Sequence, residues 1–156
     1  MARWWPGFRV IEKVNKRIVW QGELAPLQQR YEVSIAYGLP RHPSLRQCVH
    51  DSIHGVAEFD RCRVFPVVRV LRPALTLRPD ARQEAPLPHV FPEPECPHLS
   101  ALCLFDPRRG EWNHDDLIAE TTIPWTVDWL VCYEGWLATG SWYGGGRPVT
   151  TVLEHG

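Results

Sequence analysis

Residues 8–37, FRVIEKVNKRIVWQGELAPLQQRYEVSIAY, contain three extended segments separated by turn residues. The first runs from Phe8 to Val14 and the second from Arg17 to Leu24, with Asn15-Lys16 as a tight turn between them. The third, Arg30 to Tyr37, alternates apolar and polar residues, which is typical of a strand with one buried face. Short connections of this kind predict three neighbouring antiparallel strands.

A fourth extended segment follows at Arg63 to Leu71, with Pro66 near its start. It completes a predicted four-stranded antiparallel meander. The connection over residues 41–62 is ambiguous, because its apolar residues fit either a weak helical spacing or a long loop.

The second half of the chain predicts loop and then helix. Residues 72–102 are rich in proline and should form long, ordered loops. Thr121-Thr122-Ile123-Pro124 is typical of a helix start, with a threonine cap and proline in the first turn. Gly140 is a natural helix end, and residues 141–156 should form a loose tail. The predicted apolar stripe of this helix consists of Trp125, Trp129, Cys132 and Trp136.

Composition limits the class of protein. A chain of 156 residues with 44% apolar residues suits one globular domain with its own core. The net charge of −1 gives no bulk attraction to nucleic acid. No apolar stretch approaches the roughly 20 residues that span a bilayer, and the N-terminal residues lack a signal-peptide core. We therefore expect a cytoplasmic protein without nucleic-acid or membrane binding.

The five cysteines provide the candidate chemistry. An odd number in a cytoplasmic chain argues against a disulfide framework and leaves room for a reactive thiol. Cys103 lies in the apolar run Leu102-Cys103-Leu104-Phe105, and Trp112 follows it by nine residues. Taken alone, Cys103 also fits a buried core thiol, since free cysteine is often buried.

Four short motifs, in order, resemble the ubiquitin-conjugating (UBC) family over residues 8–140. Val19-Trp20-Gln21 resembles the family's Trp-Gln step, and Pro66 to Val70 resembles its Pro-Pro-Lys-Val strand. Leu102-Cys103-Leu104 is similar to its Ile-Cys-Leu, and Trp112 to the tryptophan of its Trp-Ser-Pro. The resemblance implies an α+β, UBC-like fold in a single domain, 1–156, with a four-stranded antiparallel meander and a C-terminal helix.

Two features depart from that family. The chain enters its first strand by Phe8, so the family's N-terminal helix, which helps to contact an activating enzyme, is expected to be absent. The family's His-Pro-Asn has no copy. His89, in Leu87-Pro88-His89-Val90, and His98, in Cys96-Pro97-His98-Leu99, are the two candidates to stand in for the asparagine that supports the oxyanion.

The ending of the chain from Trp129 to Gly146, with WLATGSWYGGG, resembles bacterial stand-alone members of this family. Those members occur in short type II CBASS antiphage operons, beside a cGAS-like nucleotidyltransferase (CD-NTase). The resemblance implies a cysteine transferase in antiviral defence. Cys103 would carry the C-terminus of a protein partner, a CD-NTase, as a thioester and transfer it to an amine. No cofactor is implied.

The polar residues around the cysteine have candidate roles. A carrier thiolate attacks an activated carbonyl, donors stabilise the oxyanion, and a neighbouring base orients or deprotonates the incoming lysine. Asp106, His98 and His114 are near enough in sequence for the last role, and Arg108 with Arg109 for favouring the thiolate. The predicted catalytic set is Cys103, His98, His89, Asp106 and Trp112.

Three alternatives remain open at this stage. The fold could hold a CD-NTase or a ubiquitin-like partner without chemistry, through exposed tryptophans. Cys96 and Cys103 could form a redox pair. A zinc site is a weaker interpretation, because its candidate ligands do not have a standard finger spacing. Those ligands are Cys48, His50, His54 and Cys62. The sequence contains no GxxxxGK[ST] phosphate loop, so activation is expected from elsewhere or from the partner itself.

Overall fold

The structure is a computed structural model that describes residues 1, 3–39, 65–83, 86–106 and 109–144. Four strands form one sheet in the order β1-β2-β3-β4, and each neighbouring pair is antiparallel. The strands are β1 (Arg9–Val14), β2 (Arg17–Leu24), β3 (Tyr31–Gly38) and β4 (Val67–Arg72). The predicted α+β meander is therefore confirmed, with strand ends that differ from the expectations by a few residues at most.

The turn between β1 and β2 is the one that the sequence predicts. Asn15 adopts a positive φ of 52°, a conformation that asparagine tolerates better than most residues. Lys16 accepts a hydrogen bond at its carbonyl from the backbone N–H of Leu39, 2.7 Å away. This bond ties the turn to the end of β3. The connection over residues 41–62 lies outside the described residues.

Residues 72–102 are largely loop, as expected, with two short additions. A two-stranded ladder pairs β5 (Val90–Phe91) with β6 (Ala101–Leu102). Between them, Pro97–Leu99 forms a single 3-10 turn. The sequence pattern did not predict the ladder, because two-residue strands are too short to show alternation.

One long helix, α1 (Thr122–Thr139), packs on the sheet. It ends at Gly140, whose φ of 74° is left-handed and whose N–H donates to the carbonyl of Trp136 at 2.7 Å. Thr121 occupies the cap position, but its hydroxyl donates to the carbonyl of Leu117 instead of capping the helix. The predicted boundaries of the helix are confirmed, whereas the prediction that a threonine side chain caps its first turn is wrong.

The core lies between the inner face of the sheet and α1. In register across the sheet, Val33 faces Gly22 on one side and Val70 on the other, and Ile35 faces Val68. The buried helix residues are broader than the predicted tryptophan stripe, because Trp125 and Cys132 lie at its border. They are Thr122, Ile123, Thr126, Trp129, Leu130, Tyr133 and Trp136.

The segments at the two ends of the described chain are anchored to this core. Trp5 donates its indole N–H to the carbonyl of Ala119 at 2.7 Å, which fastens the segment before β1 to the loop before α1. After the helix, Trp142 packs against the core, and its backbone N–H donates to the side chain of Gln83. The prediction of a loose tail from Ser141 is thus wrong as far as Trp142. Residues 145–156 lie outside the described part.

Candidate active site

Cys103 directly follows β6, so its position is set by the short ladder. Val90 pairs with Leu102 and Phe91 with Ala101. One residue beyond that pairing, the backbone N–H of Cys103 donates to the carbonyl of His89 at 2.9 Å. The residue is partly buried, and its sulfur is not in a disulfide. The ladder places a partly buried thiol, outside any disulfide, directly after β6.

His89 is held more firmly than a loop histidine usually is. Only 6% of it is exposed, and its φ of 45° is left-handed, a conformation that is uncommon for residues other than glycine. Its ring stacks on Trp142 with centroids 4.9 Å apart. Its carbonyl accepts a second hydrogen bond, from the indole N–H of Trp129 at 3.0 Å. The structure therefore brings His89 to the Cys103 backbone.

His98 lies on the Pro97–Leu99 turn, and it is exposed. The turn itself is well anchored: the Ser100 hydroxyl donates to the carbonyl of Pro97 and accepts the backbone N–H of Glu93. Arg69 of β4 also donates through Nε to the carbonyl of Leu99 at 3.1 Å. His98 is thus an exposed imidazole on a fixed turn that leads into β6.

Asp106 is exposed and belongs to a small polar loop. Its backbone N–H donates to the carboxylate of Glu111 at 2.7 Å. Its own carboxylate lies 3.8 Å from Nε of Arg109, and its carbonyl accepts the Arg109 N–H. Arg109, which the sequence placed near the thiol, therefore pairs with Asp106. Arg108 lies outside the described residues.

Trp112 is buried in an aromatic cluster, with 4% of the residue exposed. Its ring stacks on Phe105 and meets Phe65 and Tyr37 edge to face, with centroids 5.7 to 6.0 Å apart. Because Phe105 is two residues after Cys103, this cluster anchors the loop that begins at Cys103 (the cysteine loop) on the side away from β6. The ring of Trp112 acts there by packing.

His114 stands at the rim of the same cluster. Its Nδ1 shares a hydrogen bond of 2.9 Å with the hydroxyl of Tyr37. Burial raises the pKa of Tyr37 above its usual value, so this phenol stays protonated at neutral pH. Tyr37 therefore donates or accepts at His114 as a neutral hydroxyl.

A groove of about 570 Å³ opens beside the aromatic cluster, next to the core face of the sheet. Trp20, Tyr37 and Trp112 line it, together with Trp4, which is 61% exposed. Its size is in the range of ligand pockets, and its aromatic lining is of the kind found at protein interfaces. The residues that line this groove do not include Cys103 or the residues next to it.

The remaining cysteines bear on two alternatives, a redox pair and a zinc site. Cys96 and Cys103 are both reduced, so the structure contains no disulfide between them. The four candidate zinc ligands lie outside the described residues, and among the described ones no cluster of three or more metal-ligating side chains occurs. Burial and the neighbouring Asp128 raise the pKa of the Cys132 thiol, which makes it a poor nucleophile at neutral pH.

Two residues of this site escaped the sequence analysis. Trp129 was expected only as part of the apolar stripe, and Trp142 as part of a loose tail. Both contact His89, which lies 40 residues before Trp129. No local pattern signals such a contact, since it depends on how α1 crosses the β5–β6 ladder.

In the described residues, no helix is both long and apolar enough to cross a membrane. The fold defines an α+β protein whose sheet and C-terminal helix support a cysteine loop. Residues 1–149 match the family described as type II CBASS E2 protein, and the chain belongs to that family. Its role is thus that of an E2-like protein in CBASS antiphage defence. A search of curated proteins gave no match.

Proposed function

We propose that this protein is an acyl carrier of the ubiquitin-conjugating type, with Cys103 as its nucleophile. Residues 8–140 form the UBC-like core of a single domain. The observation that supports the proposal most directly is the placement of Cys103: a reduced, partly exposed thiol at the end of β6, on a loop anchored at both sides. The family membership supports the same class of chemistry.

The proposed reaction has two steps. The Cys103 thiolate attacks the activated carbonyl at the C-terminus of a protein partner, the activating group leaves, and a thioester forms. An amine then attacks the thioester, the carbon–sulfur bond breaks, and the proton lost by the amine ends on the leaving sulfur, which leaves an amide or isopeptide bond and the regenerated thiol. The first step needs a carbonyl that is already activated, supplied by another protein or by the partner itself. The partner is a CBASS protein, which we propose to be the CD-NTase.

The surrounding residues have distinct proposed roles. The backbone N–H of Cys103 is already donated to His89, so the oxyanion needs another donor. His98, exposed on the turn before β6, is the proposed one. Asp106, an exposed carboxylate three residues beyond the thiol, is proposed to orient the incoming amine. Trp112 and His89 maintain the two sides of the loop through packing and backbone contacts.

The test is co-expression of the tagged protein with its operon neighbours, followed by gels with and without a thiol reductant. We expect a band heavier by the mass of the partner, which the reductant removes and which Cys103→Ala abolishes. Cys103→Ser should trap a reductant-resistant ester. Cys96→Ser is the matched control, because Cys96 is also a partly buried, reduced thiol outside the proposed chemistry. A wild-type protein without any covalent band would contradict the proposal.

One observation favours a second function, the non-covalent binding of a partner. The aromatic groove with exposed Trp4 offers a surface for a protein segment, and tryptophan often contributes strongly to such interfaces. This alternative predicts a partner that copurifies equally with the wild type, Cys103→Ala and Cys103→Ser, with no covalent band. It also predicts that Trp4→Ala weakens copurification.

A further inference from the structure

The carbonyl of His89 is the point where three elements meet. It accepts the backbone N–H of Cys103 at 2.9 Å and the indole N–H of Trp129 at 3.0 Å. Trp129 belongs to α1, is 5% exposed, and cannot move without disturbing the core. The helix is therefore linked to the backbone of Cys103 by a buried donor and a shared acceptor, in addition to the contact between Trp125 and Phe105.

The conformation of His89 makes this anchor necessary. A non-glycine residue with φ near 45° is held in a sparsely populated region, and such conformations persist where surrounding contacts maintain them. The contacts that maintain it include the two hydrogen bonds to the carbonyl and the stack of the imidazole on Trp142. Trp142 in turn packs against Trp129, with ring centroids 5.6 Å apart.

We infer that Trp129 is a positioning residue for Cys103: its indole N–H fixes the His89 carbonyl, which fixes the cysteine backbone and so the direction of the sulfur. This inference rests on the proposed function in one respect, namely that the position of Cys103 affects acyl transfer. The structural link itself is independent of that function.

The critical substitution replaces Trp129 with benzothienylalanine, which keeps the shape of the indole but has sulfur in place of the N–H. Trp136 provides the matched control. It is also buried in α1, and its indole N–H also donates to a backbone carbonyl, that of Gln83 at 3.1 Å. The same replacement at Trp136 removes an equivalent hydrogen bond that does not involve Cys103.

Two measurements separate the link from its functional effect. Amide hydrogen exchange should accelerate about two- to tenfold at Cys103 in the Trp129 variant, the range expected for one lost hydrogen bond. Exchange at Cys103 should not change in the Trp136 variant. In addition, site-resolved alkylation of Cys103 by iodoacetamide should rise relative to Cys96 of the same molecule, because a loosened half-buried thiol is more accessible.

If the wild type forms the covalent band, the Trp129 variant should form it several-fold more slowly while remaining folded. Unchanged exchange and alkylation at Cys103, or equal changes in the Trp136 variant, would overturn the inference. So would faster exchange without slower transfer. If the wild type forms no covalent band, the proposed function is refuted instead. In that case the difference in Cys103 alkylation between the Trp129 and Trp136 variants still tests whether Trp129 positions Cys103.

Discussion

At the residue scale, close packing explains why one strand position is a glycine. Gly22 in β2 lies under the ring of Phe8, and a Cβ added there would come within 2.6 Å of that ring. Phe8 is itself buried, so its ring has little room to withdraw. The glycine is thus required by packing between the segment before β1 and the sheet, since its backbone conformation is that of an ordinary strand residue.

We predict that Gly22→Ala destabilises the protein by about 1–3 kcal/mol, the usual effect of overpacking a core. Gly135, on α1, is the control, because a Cβ there meets nothing within 4 Å. Gly135→Ala should raise stability by as much as about 1 kcal/mol, since glycine is a poor helix former. Urea unfolding of both variants measures the two effects, and a neutral Gly22→Ala would contradict the packing argument.

At the element scale, the last turn of α1 is completed by a side chain from a distant loop. The guanidinium of Arg78 donates to the carbonyls of Trp136 and Leu137, at 3.1 and 2.7 Å. It also lies over the ring of Trp136. The helix supplies no N–H to the Leu137 carbonyl because it ends at Thr139, whereas the Trp136 carbonyl also accepts the N–H of Gly140. Arg78 therefore couples the proline-rich loop to the helix.

Arg78→Met keeps much of the length of the side chain but removes its donors. We expect a loss of about 1–3 kcal/mol in the free energy of unfolding, since hydrogen bonds from a charged donor contribute about that much. Arg82→Met is the control, because Arg82 is exposed and is bound to Gly140 only through its backbone N–H. Thermal unfolding followed by circular dichroism distinguishes the two. Equal effects would mean that the Arg78 side chain does not cap the helix.

At the scale of the whole molecule, the core contains two phenols between the sheet and the helix. Tyr31 and Tyr133 are 1% and 2% exposed, and their rings meet edge to face. Burial raises the pKa of both hydroxyls, and for Tyr31 the charge of Glu134 raises it further. Both phenols therefore keep their protons in the folded state above the pH at which a free tyrosine ionises.

Stability should consequently fall as the pH rises above about 10, the ordinary tyrosine pKa. Above that pH the unfolded chain loses these protons while the folded chain retains them, so rising pH favours unfolding. Tyr31→Phe should flatten this dependence, even if it changes stability at neutral pH. Denaturant unfolding at pH values from about 8 to about 11, below and above the ordinary tyrosine pKa, measures how the free energy of unfolding depends on pH. An identical slope in the wild type and Tyr31→Phe would contradict the assignment.

Local sequence patterns were sufficient for the four strands of the main sheet and for α1, but not for the short β5–β6 ladder. Alternation over residues 30–37 and the Asn15-Lys16 turn predicted the strands, and the Thr-Pro start with Gly140 predicted the helix. These features depend on neighbouring residues along the chain, whose periodicity and backbone preferences are present in the sequence itself. The resemblance also pointed to the family, and membership of the CBASS E2 family is confirmed, while Cys103 as the nucleophile stays a prediction.

Only the tertiary structure decided what surrounds the cysteine. The contacts of His89 with Trp129 and Trp142 join residues 40 or more positions apart, and they turn a predicted loop histidine into a buried one. The packing of Trp112 and the capping of α1 by Arg78 likewise depend on how the elements cross. Such contacts join residues that are distant in sequence, and they form only when the helix packs on the sheet. Local patterns along the sequence therefore do not predict them.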